Sequence, residues 1–388
     1  MKEEKEKYSW WKEGIHIVCI TLLALLMTRF IINDLSSLSL FAPIEKQMDF
    51  EISDVYNAVE ESRPIHAISP NVVMVSIDSL PDRAAVLDIV NFVALAGPKA
   101  IALDAYFKIS QADNTYLLNT MKDITNLVGA TQVVPTDSAR IYRHKDLNFF
   151  EGQIPAKLGY INVDTDASKK VVRTFHPFVL DEKGDTLKSM VMMVASIADK
   201  ARVDELLARG NEVETIDFIS YEIPIVPAAR LNEPAVYESL RDKVVVIGSE
   251  KDKNDWYITP LHGSQPGMLI HAYAIQTILN GSYIEVSTGW LNWLIAVVIC
   301  MIFVGLLLLA KRRMSNIGSL FTRIGQFLIL YFLVAFGCWM FARAHVYVDF
   351  APALLMLALG GFAFAIWFAA YGTGESIVKY IKNKLHKS

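Results

Sequence analysis

Apolar residues gather near the two ends of this chain, and a long polar stretch lies between them. The first apolar run, residues 15–32, reads IHIVCITLLALLMTRFII. As a helix rising ~1.5 Å per residue it is about long enough to cross a hydrocarbon core of ~30 Å. Its one strong charge, Arg29, stands near the end, where a long cationic side chain reaches the interface. Three further runs follow at residues 290–310, 324–342 and 349–371, dense in Leu, Ile, Val, Phe and Ala. The pattern predicts four transmembrane helices with both termini on one side.

Charge decides which side. Lys2, Lys5, Lys7 and Lys12 precede the first run, Lys311, Arg312, Arg313 and Arg323 lie between the second and third, and Lys379, Lys382, Lys384 and Lys387 follow the fourth. The connection between the third and fourth carries only Arg343. Because basic loops resist translocation, the termini are expected in the cytoplasm and the long polar region outside it. No small-residue cleavage site follows the first run in NDLSSLSLF, so it is read as an uncleaved anchor rather than a signal peptide. The expected segments are a cytoplasmic tail at 1–14, a span at 15–32, an extracytoplasmic domain at 33–289, three spans within 290–371, and a basic tail at 372–388.

Within the domain the periodicity changes repeatedly. Residues 33–69 place Ile44, Met48, Ile52, Val55 and Val59 near helical spacing and predict a helix leading away from the membrane, ended by Pro64 and Pro70. Val72 to Ile77 is a continuous apolar run that suits a strand buried on both faces. Pro81 opens a predicted helix to Leu95, Gly97-Pro98 closes it, and Lys99 to Asp104 gives a second strand; such a βαβ unit makes the two strands parallel. A helix is predicted over 114–127 and a strand over 128–134. Residues 158–163 and 171–180 read as a hairpin around DTDASKK, and 186–209 as one helix stopped by Gly210. A strand at 215–220, a short helix at 234–240, a buried strand at 243–248 and a helix at 268–279 complete a mixed α/β layer fold with a largely parallel core sheet and an added hairpin.

Composition changes the picture in two ways. Hydrophobic residues make up 53% of the chain and the net charge is −4, so no basic surface invites nucleic acid. The three cysteines, Cys19, Cys300 and Cys338, all fall in predicted spans, which leaves the outer domain to be held by its core and not by disulfides.

The segments NVVMVSIDS, AGPKAIALDAYF, DKVVVIGS, YITPL and PGMLIHAYAIQTIL, in that order between residues 33 and 284, resemble the second type of CHASE domain. This is the extracytoplasmic sensory module found with bacterial cyclases and histidine kinases, usually with one span before it and three after. The resemblance implies the input domain of a transmembrane signalling protein. It also places Asp255, Thr259, His262 and His271 in the family's threonine-proline and proline-glycine-x-x-x-histidine-alanine motifs.

The candidate site is the carboxyl edge of the predicted parallel strands, where ligands of open α/β sheets dock. Asp78 with Ser79, Asp104 with Tyr106, and Ser249 follow three strands, and Asp255 and His271 come from the final motifs. These residues would hold a polar ligand. The competing reading is that the carboxylates cap helices, Asp78 capping the helix after Pro81, and that His271 bonds a neighbouring strand. No metal is expected, since two scattered aspartates and two histidines supply neither a calcium loop nor a zinc set. Ser249 lacks the second glycine of a nucleophile elbow, and Gly372-Thr373-Gly374 lacks a phosphate-loop lysine, so no enzyme and no cofactor is predicted. In the last span Gly360-Gly361 would permit close helix contact, and the tail GESIVKYIKNKLHKS reads as a basic amphipathic helix on the inner membrane face.

These readings describe a multi-pass protein of a bacterial inner membrane, in contact with lipid, that senses an extracytoplasmic ligand and passes its state to a separate output protein. A homodimer is compatible with that role. The alternative is a docking component of an envelope complex with no small ligand.

Overall fold

The computed structural model describes residues 10–35, 51–62, 67–105, 119, 122–136, 141–145, 157–163, 171–261, 264–313 and 318–385. The chain divides into two compact units, Met1–Ser53 with Val286–Ser388, and Asp54–Glu285.

The first unit is built on helix α1 (Trp10–Arg29), which a short π-helical turn, Phe30–Leu35, extends. Four helices among the described residues are long and apolar enough to cross a membrane, at Trp11–Ile32, Gly289–Arg312, Thr322–Ala344 and Ala351–Gly374. Ile20 and Ala24 of α1 are buried, as are Ala296 and Cys300 of the helix Gly289–Arg313 and Met356 and Ala363 of the helix Ala351–Leu385. The expected glycine contact holds for one member of the pair. A Cβ on Gly360 would meet the Phe303 ring at 3.3 Å, whereas Gly361 faces open space. The basic end of the bundle is tied by side chains: Glu13 pairs with Arg312, Trp367 Nε1 donates to His16 Nδ1 at 2.9 Å, and Lys311 Nζ lies 3.4 Å from the Phe368 ring centre. The last helix runs unbroken from the fourth span into the tail.

The second unit opens with helix α2 (Ile52–Glu61), within the helix expected over 33–69; residues 36–50 and 63–66 of that expectation lie outside the described residues, and Ala67–Ile68 is a short strand paired with Tyr221–Glu222 instead. Asp54 on α2 accepts from Arg173 at both oxygens, Nε at 2.8 Å and Nη2 at 2.7 Å, a bidentate pair largely removed from water.

The core is a parallel sheet. Its strands are β1 (Val72–Ser76), β2 (Ala100–Asp104), β3 (Leu127–Thr131), β4 (Leu158–Tyr160), β5 (Ile225–Pro227) and β6 (Val244–Gly248), in spatial order β5-β1-β6-β2-β3-β4. Strands β1, β2 and β6 alternate their apolar residues between two faces. Val72, Met74, Ala100, Ala102, Val244 and Val246 point into one core, and Val73, Val75, Ile101, Leu103, Val245 and Ile247 into the other. Helix α3 (Arg83–Leu95) covers the second face through Leu87, Val90 and Val93. The first face is covered by α4 (Met190–Ala198) and α6 (Gly267–Asn280), with α5 (Lys200–Ala208) adding Val203 and Leu206.

Several expectations need correction. The Pro81 helix starts at Arg83 and is capped by Asp82, whose side chain accepts from the Ala85 amide; Asp78 is not its cap. Residues 158–163 and 171–180 do not form a hairpin, because Leu158–Tyr160 extends the parallel sheet instead. The hairpin lies farther on, between Phe178–Asp181 and Thr186–Lys188, and its turn is fixed by Asp181 accepting from the amides of Lys183 and Asp185. Those two strands belong to a small sheet with Ile141–His144 and Val133–Pro135. The single helix expected over 186–209 is a strand followed by α4 and α5, because Ser189 and then Asp199 each cap a new start. The strand expected at 215–220 is reduced to Glu214–Thr215. Edge strand β5 was not anticipated: three residues that follow Pro224 and end at Pro227 carry too short an apolar signal. Half of the helix expected over 114–127 lies outside the described residues, and its described end is not helical beyond Asp123: residues 125–126 form a turn and Leu127 already begins β3.

Gly159 has a packing reason. A Cβ there would lie 2.4 Å from Met190 Cα, so only glycine lets the start of α4 rest on β4.

Candidate functional site

All six core strands are parallel, so their last residues share one edge. Gly248 stands in register with both Ser76 and Asp104, and a Cβ on it would meet the Asp104 and Met268 Cβ atoms at 3.3 Å. Glycine here brings β2 and α6 close at the rim.

Asp78 stands two residues beyond β1 and is a structural clamp. One carboxylate oxygen accepts from the Ser249 hydroxyl, and the other from Ser76 Oγ at 2.9 Å and the Glu250 amide at 3.0 Å. Burial pushes its pKa up, but the bonds from Ser249, Ser76 and the Glu250 and Lys251 amides outweigh it and hold the carboxyl below the usual range. Ser249 Oγ in turn accepts from the amides of Lys251 and Asp252. The two side chains close the loop after β6 onto the loop after β1. Ser79, next in the chain, is exposed in the turn.

Asp104 ends β2 half-buried, and burial pushes its pKa up to about 7. Asp255, from the one-turn helix Lys253–Asp255, lays its carboxylate against the first residue of α6, since a Cβ on Gly267 would meet its two oxygens at 2.5 and 2.6 Å. A helix N-terminus favours an anion. Nevertheless burial and then the Asp104 charge raise Asp255 to about 6, against the lowering effect of His271 and of a hydrogen bond from Tyr257. The same surroundings raise the Tyr257 hydroxyl, burial first and the Asp255 charge second.

His271 is buried in the second turn of α6. Burial lowers its pKa to about 4, although Asp255 and a bond to the Ile161 backbone pull the other way. His271 thus meets the backbone at Ile161, the residue after β4, and not a residue within a strand. The rim thus separates the candidates into two groups: Asp78 with Ser249, committed to loop closure, and Asp104, Asp255 and His271 with Tyr257, a cluster sharing charge. Tyr106 and His262 lie outside the described residues. Thr259 is buried. Among the described residues no three His, Cys, Asp or Glu side chains gather to hold a metal ion. Tyr257 was missed by sequence reasoning; it stands in the short strand Trp256–Ile258, directly after the one-turn helix that carries Asp255.

The family model of the CHASE2 domain matches residues 21–309. The chain belongs to the CHASE2 domain family. CHASE2 domains are extracytoplasmic sensory modules, and the matched range here starts inside the first apolar helix and ends inside the second. The resemblance read from the strand and helix motifs therefore holds, as does the mixed α/β fold with a largely parallel sheet. No match was found among curated proteins or among solved structures.

Proposed function

We propose that this CHASE2 protein is a sensor of a bacterial inner membrane, whose outer domain binds a signal and whose four helices carry the resulting state to a partner in the cytoplasm. The observation that carries the reading is the CHASE2 match over residues 21–309, reaching from one apolar helix to the next. The lysines and arginines flanking the helices support an outward domain and cytoplasmic termini. The partner is proposed to meet the basic residues 311–313 or the lysines of the tail. The role is binding, not catalysis: the hydroxyl of Ser249, the nucleophile candidate, is occupied by Asp78 and by two backbone amides. A ligand matters inside only if it favours one of two helix arrangements.

Two measurements test this. A reporter active only outside the cytoplasm should work when inserted near Asp137 and stay silent after Lys382; the reverse overturns the orientation. A chimera carrying a cyclase catalytic domain after the tail should differ in output, at equal amounts in the membrane, between the intact chain and one lacking residues 67–285. Equal output would remove transmission.

A further inference from the structure

We propose that a cavity beside β3 and β4 binds an amphipathic organic anion, a molecule with an apolar body and one carboxylate. The proposal names the ligand class for the sensory reading and rests on it. The cavity measures about 610 Å³, within the roughly 300–1,000 Å³ of sites for small organic ligands.

Three elements build it. Thr131 and Tyr160, the last residues of β3 and β4, bring the carboxyl edge of the parallel sheet; Met192, Met193, Ser196 and Ile197 come from α4; and Val133, His144 and residues 186–188 come from the small sheet. Half of the lining residues are Val, Leu, Ile or Met, and two adjacent methionines give a wall that adapts to the shape of an apolar body. The other half, Thr131, His144, Tyr160, Thr186, Lys188 and Ser196, brings polar groups among them. The Tyr160 hydroxyl donates to the His176 carbonyl at 2.7 Å, so it serves the fold. Lys188 is the one lysine or arginine among the described lining residues, and no carboxylate accompanies it there. A half-apolar chamber with one lysine at its edge selects a ligand with an apolar body and one anionic head, because the ammonium gains a charge-assisted bond on binding. The head is placed at Lys188, which is exposed at the edge of the cavity. His271 bonds the backbone of Ile161, the residue after Tyr160, so the cavity wall and the titrating cluster share a strand end.

The test uses the full chain in lipid nanodiscs and fluorine NMR of trifluoromethyl-phenylacetate, with its neutral amide as the uncharged twin. Wild type should bind the acid more tightly than the amide. Lys188→Met should weaken the acid about tenfold and leave the amide unchanged, while Lys188→Arg restores the acid, the change expected for one charge-assisted contact. Ser196→Trp, which fills the chamber, should abolish both, with a melting profile like wild type. Equal binding of acid and amide, acid binding indifferent to Lys188→Met, binding that survives Ser196→Trp, or no binding to wild type beyond empty nanodiscs each overturns the proposal. Because the measurement needs no output, its failure leaves orientation and transmission to be judged by their own tests.

Discussion

Replacing Asp104 by Asn should make the outer domain more stable in alkali and leave it almost unchanged in acid. Asp104 ends β2 half-buried, with burial as the cause of a pKa near 7 against an ordinary 3.8. The folded state therefore holds this proton more tightly than the unfolded chain. Such a group adds stability below about pH 4, and that contribution drains away as pH rises through 7. Each pH unit in that window corresponds to about 1.4 kcal/mol, so the two units from pH 5 to pH 7 set a ceiling of roughly 3 kcal/mol. Partial exposure and coupling to Asp255 lower it, and we expect the variant to gain roughly 2 kcal/mol on wild type between pH 5 and pH 8. For a domain of this size that is a relative rise of about 4–8 °C in melting temperature. Scanning calorimetry of both full chains in nanodiscs at the two pH values reads it directly. His271, whose lowered pKa costs stability as the pH falls, is common to both proteins and cancels in the comparison. A gap independent of pH would refute the titration, and a variant less stable at both values would mean that the carboxylate accepts bonds essential to the fold.

Asp78→Asn should act in the opposite sense, costing about 1–3 kcal/mol at neutral pH, because an amide nitrogen would face one of the donors Ser249, Ser76 or Glu250. Its lowered pKa implies that this contribution fades as pH falls through the acid range, so the cost should shrink in acid melts. Gly159→Ala should lose about 3 kcal/mol or fail to accumulate, since its Cβ meets the Met190 backbone; thermal melts and membrane yield decide, and a neutral result would mean that α4 is not seated on β4.

What the sequence determined by itself is whatever is local. Each apolar helix announces itself because a membrane span must satisfy its own backbone, and β1, β2 and β6 announce themselves because strands buried on both faces must be continuously apolar. From those runs followed the parallel sheet, its carboxyl edge and the nearness of Asp78, Asp104 and Ser249. Only the tertiary structure decided the pairings between distant segments. β4 was legible as a strand but not its parallel pairing with β3, and three-residue β5 has no periodicity to read; their places depend on which sheet edge stands open. The same holds for the aspartates: Asp78, Asp82 and Asp104 are alike in sequence, yet one closes a loop, one caps a helix and one is left to burial. Their roles are set by donors up to 172 positions away, brought near only when the sheet has formed.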